Sequence, residues 1–100
     1  MRVSVFGSTG SIGESTFDLL RTRPDIQTVA LTGGRNVARL AQQARELRAE
    51  LAVTAYDDCL DDLRAALAGS GTEVAAGAQA LIDAASRPAD WVMSAIVGAA

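Results

Sequence analysis

Seven residues, Gly7-Ser8-Thr9-Gly10-Ser11-Ile12-Gly13, limit the fold more than any other part of this chain. They follow an apolar run, Val3 to Phe6, and open onto Glu14-Ser15-Thr16-Phe17-Asp18-Leu19-Leu20, which reads as a helix. Strand, tight glycine turn and helix start, in that order, is the context in which a glycine-rich motif binds a dinucleotide. Gly7 lets the chain leave the strand in a conformation closed to residues with a Cβ. Gly10 keeps the backbone bare where a pyrophosphate approaches, and Gly13 lets the helix pack close to the sheet. The N–H groups at the helix start and the positive end of its dipole then face the phosphates. The spacing is G-x-x-G-x-x-G instead of the commoner G-x-G-x-x-G, and a plain β–α turn without a ligand is the alternative reading.

The rest of the chain repeats the same alternation. Strands are predicted at Arg2 to Phe6, Ile26 to Leu31, Leu51 to Thr54, Thr72 to Ala75 and Asp90 to Ile96. The first helix is predicted from about Ser11 to Arg23, with Ile12, Thr16, Phe17 and Leu20 on its packing face, and Pro24-Asp25 breaks it. Asn36 is placed to cap the second helix, whose apolar face is Val37, Leu40, Ala41, Ala44 and Leu47. Asp57 or Asp58 opens a third, with Leu60, Leu63 and Leu67 inward, ended by Gly69-Ser70-Gly71. The fourth runs after Gly77 through Leu81, Ile82 and Ala85 to Arg87-Pro88. Trp91 and Met93 are expected in the core of the last strand. Strands alternating with helices at this interval predict right-handed βαβ units and an α/β, Rossmann-type doubly wound parallel sheet. Ile96-Val97-Gly98-Ala99-Ala100 reads as one more strand-to-turn passage without its helix, so residues 1–100 are expected to be one domain, truncated before a catalytic domain.

Composition removes several function classes. Hydrophobic residues make up 49% and charged residues 21% of the 100 residues, with net charge -3, as in a soluble globular chain. All nine basic residues are arginines, scattered and not clustered, which argues against nucleic acid as a partner. No apolar run reaches the length of a transmembrane helix, and the start enters a strand at once, leaving no room for a signal peptide. The single cysteine, Cys59, excludes an internal disulfide, and the cytoplasm is the expected compartment. With no histidine, the chain cannot by itself build a zinc site of the usual kind or a histidine acid–base pair. Asp57, Asp58, Asp61 and Asp62 are read as helix-start acids complementing the dipole, not as a metal site. Ser8, Ser11 and Ser15 have no base to activate them, so phosphate contact or capping is their expected role.

Arg35 carries the cofactor choice. At the end of the second strand of a dinucleotide fold, an acid bonds the ribose 2′-hydroxyl of NAD, whereas an arginine accommodates the 2′-phosphate of NADP. The stretch Leu31-Thr32-Gly33-Gly34-Arg35-Asn36 contains no acid. Thr32 and the Asn36 side chain are available to add hydrogen bonds. A charge-assisted hydrogen bond at this position predicts about a ten- to hundredfold preference for NADP over NAD. A surface arginine in a glycine turn is the alternative.

Four segments together, Gly7 to Gly13, Ala30 to Val37, Pro88 to Met93 and Ala95 to Ala100, resemble the start of the 1-deoxy-D-xylulose 5-phosphate reductoisomerase family, in the family's order. The resemblance implies the N-terminal NADPH-binding domain of an enzyme of non-mevalonate isoprenoid biosynthesis. That enzyme rearranges and reduces 1-deoxy-D-xylulose 5-phosphate to 2-C-methyl-D-erythritol 4-phosphate. By this similarity Thr9, Gly10, Ser11 and Ile12 line the pyrophosphate and nicotinamide side, and Gly34, Arg35 and Asn36 hold the 2′-phosphate. Arg35 stands where family members often carry lysine, which keeps the charge. The Mg²⁺ or Mn²⁺ ligands, the sugar-phosphate site and a mobile lid are implied to lie outside these residues, in a parent that forms a homodimer. No catalytic or metal-binding residue is therefore assigned to this chain. The rival functions are an NADP-dependent semialdehyde or acyl-phosphate reductase, which would need a nucleophilic cysteine further along, and a non-catalytic NADP-binding module.

Overall fold

Alternation of apolar runs with amphipathic stretches becomes alternation of strands with helices in the computed structural model, which describes residues 1–94. The strands are β1 (Arg2–Phe6), β2 (Gln27–Gly33), β3 (Leu51–Thr54), β4 (Glu73–Ala76) and β5 (Trp91–Ser94). The helices are α1 (Ser11–Leu20), α2 (Val37–Leu47), α3 (Leu60–Ala66) and α4 (Ala78–Ser86), and a 3₁₀ turn at Asp57–Cys59 leads into α3. All pairings are parallel and the order is β4-β3-β2-β1-β5. Val5 lies level with Leu31 on one side and Met93 on the other, and Thr32 is level with Val53.

From β1 the chain steps outward to β4, then returns to place β5 on the far side of β1. This return divides the core between two faces. On one, Leu20, Leu40, Ala44, Leu63 and Leu67 from α1, α2 and the α3 segment cover Val3, Val5, Leu31 and Ala52. On the other, Ala84 of α4 packs with Val29, Leu51 and Val53. Full burial of a side chain such as Leu40 or Leu63 contributes about 1.5–3 kcal/mol. The sheet is thus doubly wound, and its direction of winding reverses beside β1. Ligands of such sheets bind at that reversal, outside the carboxyl ends of the strands. The Gly7–Gly13 turn leaves β1 at this end.

Tertiary pairing moved several boundaries. β2 runs two residues past Leu31 because Gly33 pairs with Thr54 and accepts the N–H of Ala55, overriding the turn that Thr32-Gly33 suggests. α1 stops at Leu20, and residues 21–26 close in tight turns, with Arg23 N–H bonded to Leu20 O and Ile26 N–H to Arg23 O. Ile12 is not on the packing face of α1. It is 52% exposed, and Gly13, Phe17 and Leu20 are the residues that turn inward. On α4 the small Ala84 is the buried residue, while Ile82 and Ala85 are exposed. Trp91 is the largest correction: it is 58% exposed instead of packed, because β5 pairs only with β1 among the described residues. The proposed strand ending at Ile96 and the passage to Ala100 lie outside the described residues beyond Ser94.

Candidate functional site

Three strand ends build the site. At β1, Gly7 takes φ 82°, a conformation costly for any residue with a Cβ. Its N–H bonds to both the carbonyl and the hydroxyl of Thr32, and Ser8 N–H bonds to the same carbonyl. The first turn is therefore anchored on β2. Ser8 is 1% exposed and does not face a phosphate. Its hydroxyl donates to Gln43 Oε1 at 2.8 Å, and Gln43 Nε2 donates back to Ser8 O at 2.9 Å. Gln43 lies on α2 with no exposed surface, a buried polar side chain among the helix's apolar positions. Leaving such a pair half-made would cost about 1–3 kcal/mol. Thr32 likewise is buried and spends its hydroxyl on Gly7, so it is not a 2′-phosphate ligand.

Gly13 and Gly10 differ in kind. A Cβ on Gly13 would sit 2.2 Å from Gly7 O and 2.5 Å from Ser8 Cα, so a glycine is required for α1 to start against its own turn. A Cβ on Gly10 would meet nothing nearer than Gly7 O at 3.7 Å, and Gly10 has φ −79°. Among the described residues nothing requires glycine there. Gly10 is the N-cap of α1, where the N–H groups of Ser11, Ile12 and Gly13 lack acceptors within the helix. Ser11 and Ile12 are both exposed on that first turn. The α1 start thus offers backbone donors, a favourable dipole and an apolar side chain, a set suited to a pyrophosphate with an adjoining ring.

At the end of β2, Gly34 O accepts the Thr54 hydroxyl at 2.9 Å, and the same hydroxyl accepts the N–H of Tyr56. The turns after β2 and β3 are thereby tied together. Asn36 caps α2 by accepting Arg39 N–H at 3.3 Å, as expected from its position. Arg35 projects into solvent with its guanidinium carbon 4.1 Å from the centre of the Tyr56 ring, and its Nη1 donates to Asp58 Oδ2 at 3.0 Å. That hydrogen bond holds the Asp58 carboxyl below the usual carboxylate range. Between the two turns lies a cavity of about 190 Å³ lined by Gly7, Thr9, Gly33, Gly34, Tyr56 and Leu81 among others. Thr9 closes one wall, with a Cβ on Gly33 falling 3.4 Å from its hydroxyl. Larger hollows, about 290 and 370 Å³, sit where α1 and α2 end, at the opposite edge of the sheet. Volume alone would point to the other end of the sheet, whereas the turns that follow β1, β2 and β3 line the smaller cavity.

Thr9, Gly10, Ser11 and Ile12 on one turn and Gly34, Arg35 and Asn36 on the other therefore share one sheet edge. Tyr56, Asp58 and Leu81 at the site were not foreseen. For Tyr56 a signal existed: it follows by two residues the strand next to β2, in the turn at the carboxyl end of the sheet. Behind the site, Arg39 of α2 donates from Nε and Nη2 to the two carboxylate oxygens of Glu14 on α1, and Arg39 lies 4.8 Å from the Phe17 ring centre. The Arg39 hydrogen bond lowers the Glu14 carboxyl from its ordinary value. This pair links α1 to α2. Among the described residues no group of three or more acids, cysteines or histidines is placed to hold a metal ion.

A relative from Cereibacter sphaeroides, 1-deoxy-D-xylulose 5-phosphate reductoisomerase, is 70% identical over 98% of this chain, and one from Ruegeria sp. is 64% identical over 99%. The solved structure of the Zymomonas mobilis reductoisomerase in complex with NADPH superposes with a TM-score of 0.94 at 51% identity, covering 97% of this chain and 26% of that one. A reductoisomerase in complex with NADPH, fosmidomycin and magnesium superposes with a TM-score of 0.89 at 33% identity, covering 98% of this chain and 25% of that one. The chain spans about a quarter of the length of the curated relatives, 26% of the Cereibacter protein and 25% of the Ruegeria protein. Residues 3–100 match the family described as 1-deoxy-D-xylulose 5-phosphate reductoisomerase. With the two turns, the strand order and this match in agreement, the chain belongs to the 1-deoxy-D-xylulose 5-phosphate reductoisomerase family.

Proposed function

We propose that residues 1–100 form the NADPH-binding domain of an enzyme that isomerises and reduces 1-deoxy-D-xylulose 5-phosphate to 2-C-methyl-D-erythritol 4-phosphate in isoprenoid biosynthesis. The observation that carries this reading is the pairing, across one groove, of a glycine turn bare at Gly10 with a second turn bearing Arg35 and no acid. The residues fit the nucleotide: a Cβ on Gly10 would meet, among the described residues beyond its chain neighbours, only Gly7 O at 3.7 Å, and the α1 start supplies donors for two phosphates. Thr9, Gly10 and Ser11 hold the pyrophosphate, and Ile12 gives the nicotinamide an apolar contact on the exposed side of α1. Gly34 lets the chain pass close to the ribose, while Arg35 and the Asn36 amide take the 2′-phosphate. When bound, the nicotinamide supplies the hydride. The chain's own work is to fix that ring within about 1 Å, an error of which can cost about a hundredfold in rate.

The sugar phosphate, and the Mg²⁺ or Mn²⁺ that polarises its oxygens, are assigned to residues outside this chain. A cytoplasmic homodimer without nucleic-acid or membrane partners completes the reading. No helix among the described residues is long and apolar enough to cross a membrane.

The test follows NADPH oxidation with 1-deoxy-D-xylulose 5-phosphate and a divalent cation, comparing the protein at its full native length with residues 1–100 alone. Turnover is expected only at full length, with NADPH bound about ten- to a hundredfold tighter than NADH. Turnover by residues 1–100 would place the sugar-phosphate site among them, and equal affinity for the two nucleotides would remove Arg35 from its role.

A further inference from the structure

The Arg35 guanidinium meets three side chains: Tyr56, Asp58 and Cys59, whose sulfur lies 4.0 Å from Nη1. The Tyr56 ring lies against its guanidinium face at 4.1 Å, a contact that fixes the plane of the group and leaves its edge donors open. The Thr54 hydroxyl ties the turn before Arg35 to the turn bearing Tyr56, so the stack is set by two strand ends and not by loop chance. Asp58 does something else. It takes Nη1 at 3.0 Å, on an edge that a phosphate would use. The Arg35 and Asp58 side chains are 62% and 68% exposed, so the pair is accessible to an incoming anion and is not a buried structural bridge. With the plane already held by Tyr56, the carboxylate is not needed to position the guanidinium.

We propose that Asp58 is a specificity-determining residue that competes with the nucleotide 2′-phosphate for Arg35, while Tyr56 holds the guanidinium in place as one anion replaces the other. The inference rests on the reading of Arg35 as the 2′-phosphate ligand. It adds that the affinity for NADPH is set below what Arg35 alone would give, and that the acid weakening it comes from β3's turn, not from β2, where nicotinamide specificity is usually sought. Binding of a nucleotide without the 2′-phosphate is independent of the exchange, because nothing displaces Asp58.

Affinities for NADPH and NADH are to be measured by titration on the full-length protein and its Asp58→Asn, Asp58→Ala, Tyr56→Leu and Arg35→Ala variants. Both Asp58 variants are expected to bind NADPH about two- to fivefold tighter, the range spanned by an exposed ion pair, with NADH unchanged. Tyr56→Leu is expected to weaken NADPH more than NADH. A loss of general structure would shift the two nucleotides together, so the ratio separates the cases. If Arg35→Ala abolishes the NADPH preference but the Asp58 variants bind NADPH equally or more weakly, Asp58 is a support and the competition is overturned. If Arg35→Ala leaves the preference intact, the 2′-phosphate reading itself fails, and the competition with it.

Discussion

The two turns that face the groove both contain paired or repeated glycines, yet they are built on opposite principles. After β1, the backbone does the work. Gly7 is needed for its positive φ, Gly13 for a helix start that touches Gly7 O and Ser8, and every polar group of Ser8 is locked to Thr32 or Gln43. After β2, a Cβ on Gly33 or Gly34 would come no nearer than 3.4 Å to a neighbour, and the chemistry rests on the Arg35 side chain. In the proposed function the first turn recognises what all dinucleotides share and the second selects among them, and a selective element placed on an exposed side chain can be retuned without disturbing the fold.

Gly13→Ala should break this contrast most severely. Its Cβ would lie against backbone that cannot swing aside, so the loss should reach or exceed the upper end of about 1–3 kcal/mol for overpacking. Urea denaturation measures it, and a variant as stable as the wild type would show that α1 can shift from its turn. Gly10→Val should separate binding from folding. Its Cβ fits at 3.7 Å and φ −79° is ordinary, so stability should fall by only about 1 kcal/mol for a changed N-cap, while NADPH binding is lost. A folded variant that kept wild-type affinity would move the pyrophosphate elsewhere.

Arg35→Ala should be the mirror image of Gly13→Ala. The urea midpoint should stay where it is, and about ten- to a hundredfold of preference for NADPH over NADH should vanish. A drop in stability matching the loss of binding would erase the distinction between the two turns. The smallest effect is expected from the pair joining α1 and α2. The Arg39 hydrogen bond depresses the Glu14 carboxyl in the folded state, so its contribution is complete above the unfolded value of about 4.3 and disappears as pH falls through the lower folded value. Glu14→Gln should therefore flatten the fall of the urea midpoint below about pH 4, leaving the slope near neutrality unchanged. An unchanged acid limb would mean that other carboxylates dominate there.

Period and punctuation made much of the fold legible. Apolar runs of four to seven residues between amphipathic stretches predicted the strands, and Leu40, Ala41 and Ala44 were placed on the buried face of α2 by spacing alone. The roles of Gly7 and Gly13, the Asn36 cap and the charge of Arg35 were legible too, because backbone stereochemistry and charge belong to the residue itself. Trp91 was misplaced because apolarity does not reveal whether a strand is central or at an edge. The same limit hid Gln43. Its polarity argues for solvent, and only the approach of α2 to the β1 turn gives it the two Ser8 partners that permit burial.

What the sequence determined by itself was local: where the chain extends, coils and turns, which glycines the backbone requires, and that a cation, not an acid, follows β2. The tertiary structure decided which ends meet. Strand order brings the β1, β2 and β3 turns to one edge, and the pairing of Gly33 with Thr54 draws Tyr56 and Asp58 up to Arg35. The Arg35–Asp58 contact joins residues 23 apart in sequence, and its distance depends on the packing of both connecting segments. Propensity and charge act within a few residues and can be read from a string. A contact between two turns exists only once hydrophobic burial has fixed the elements behind them.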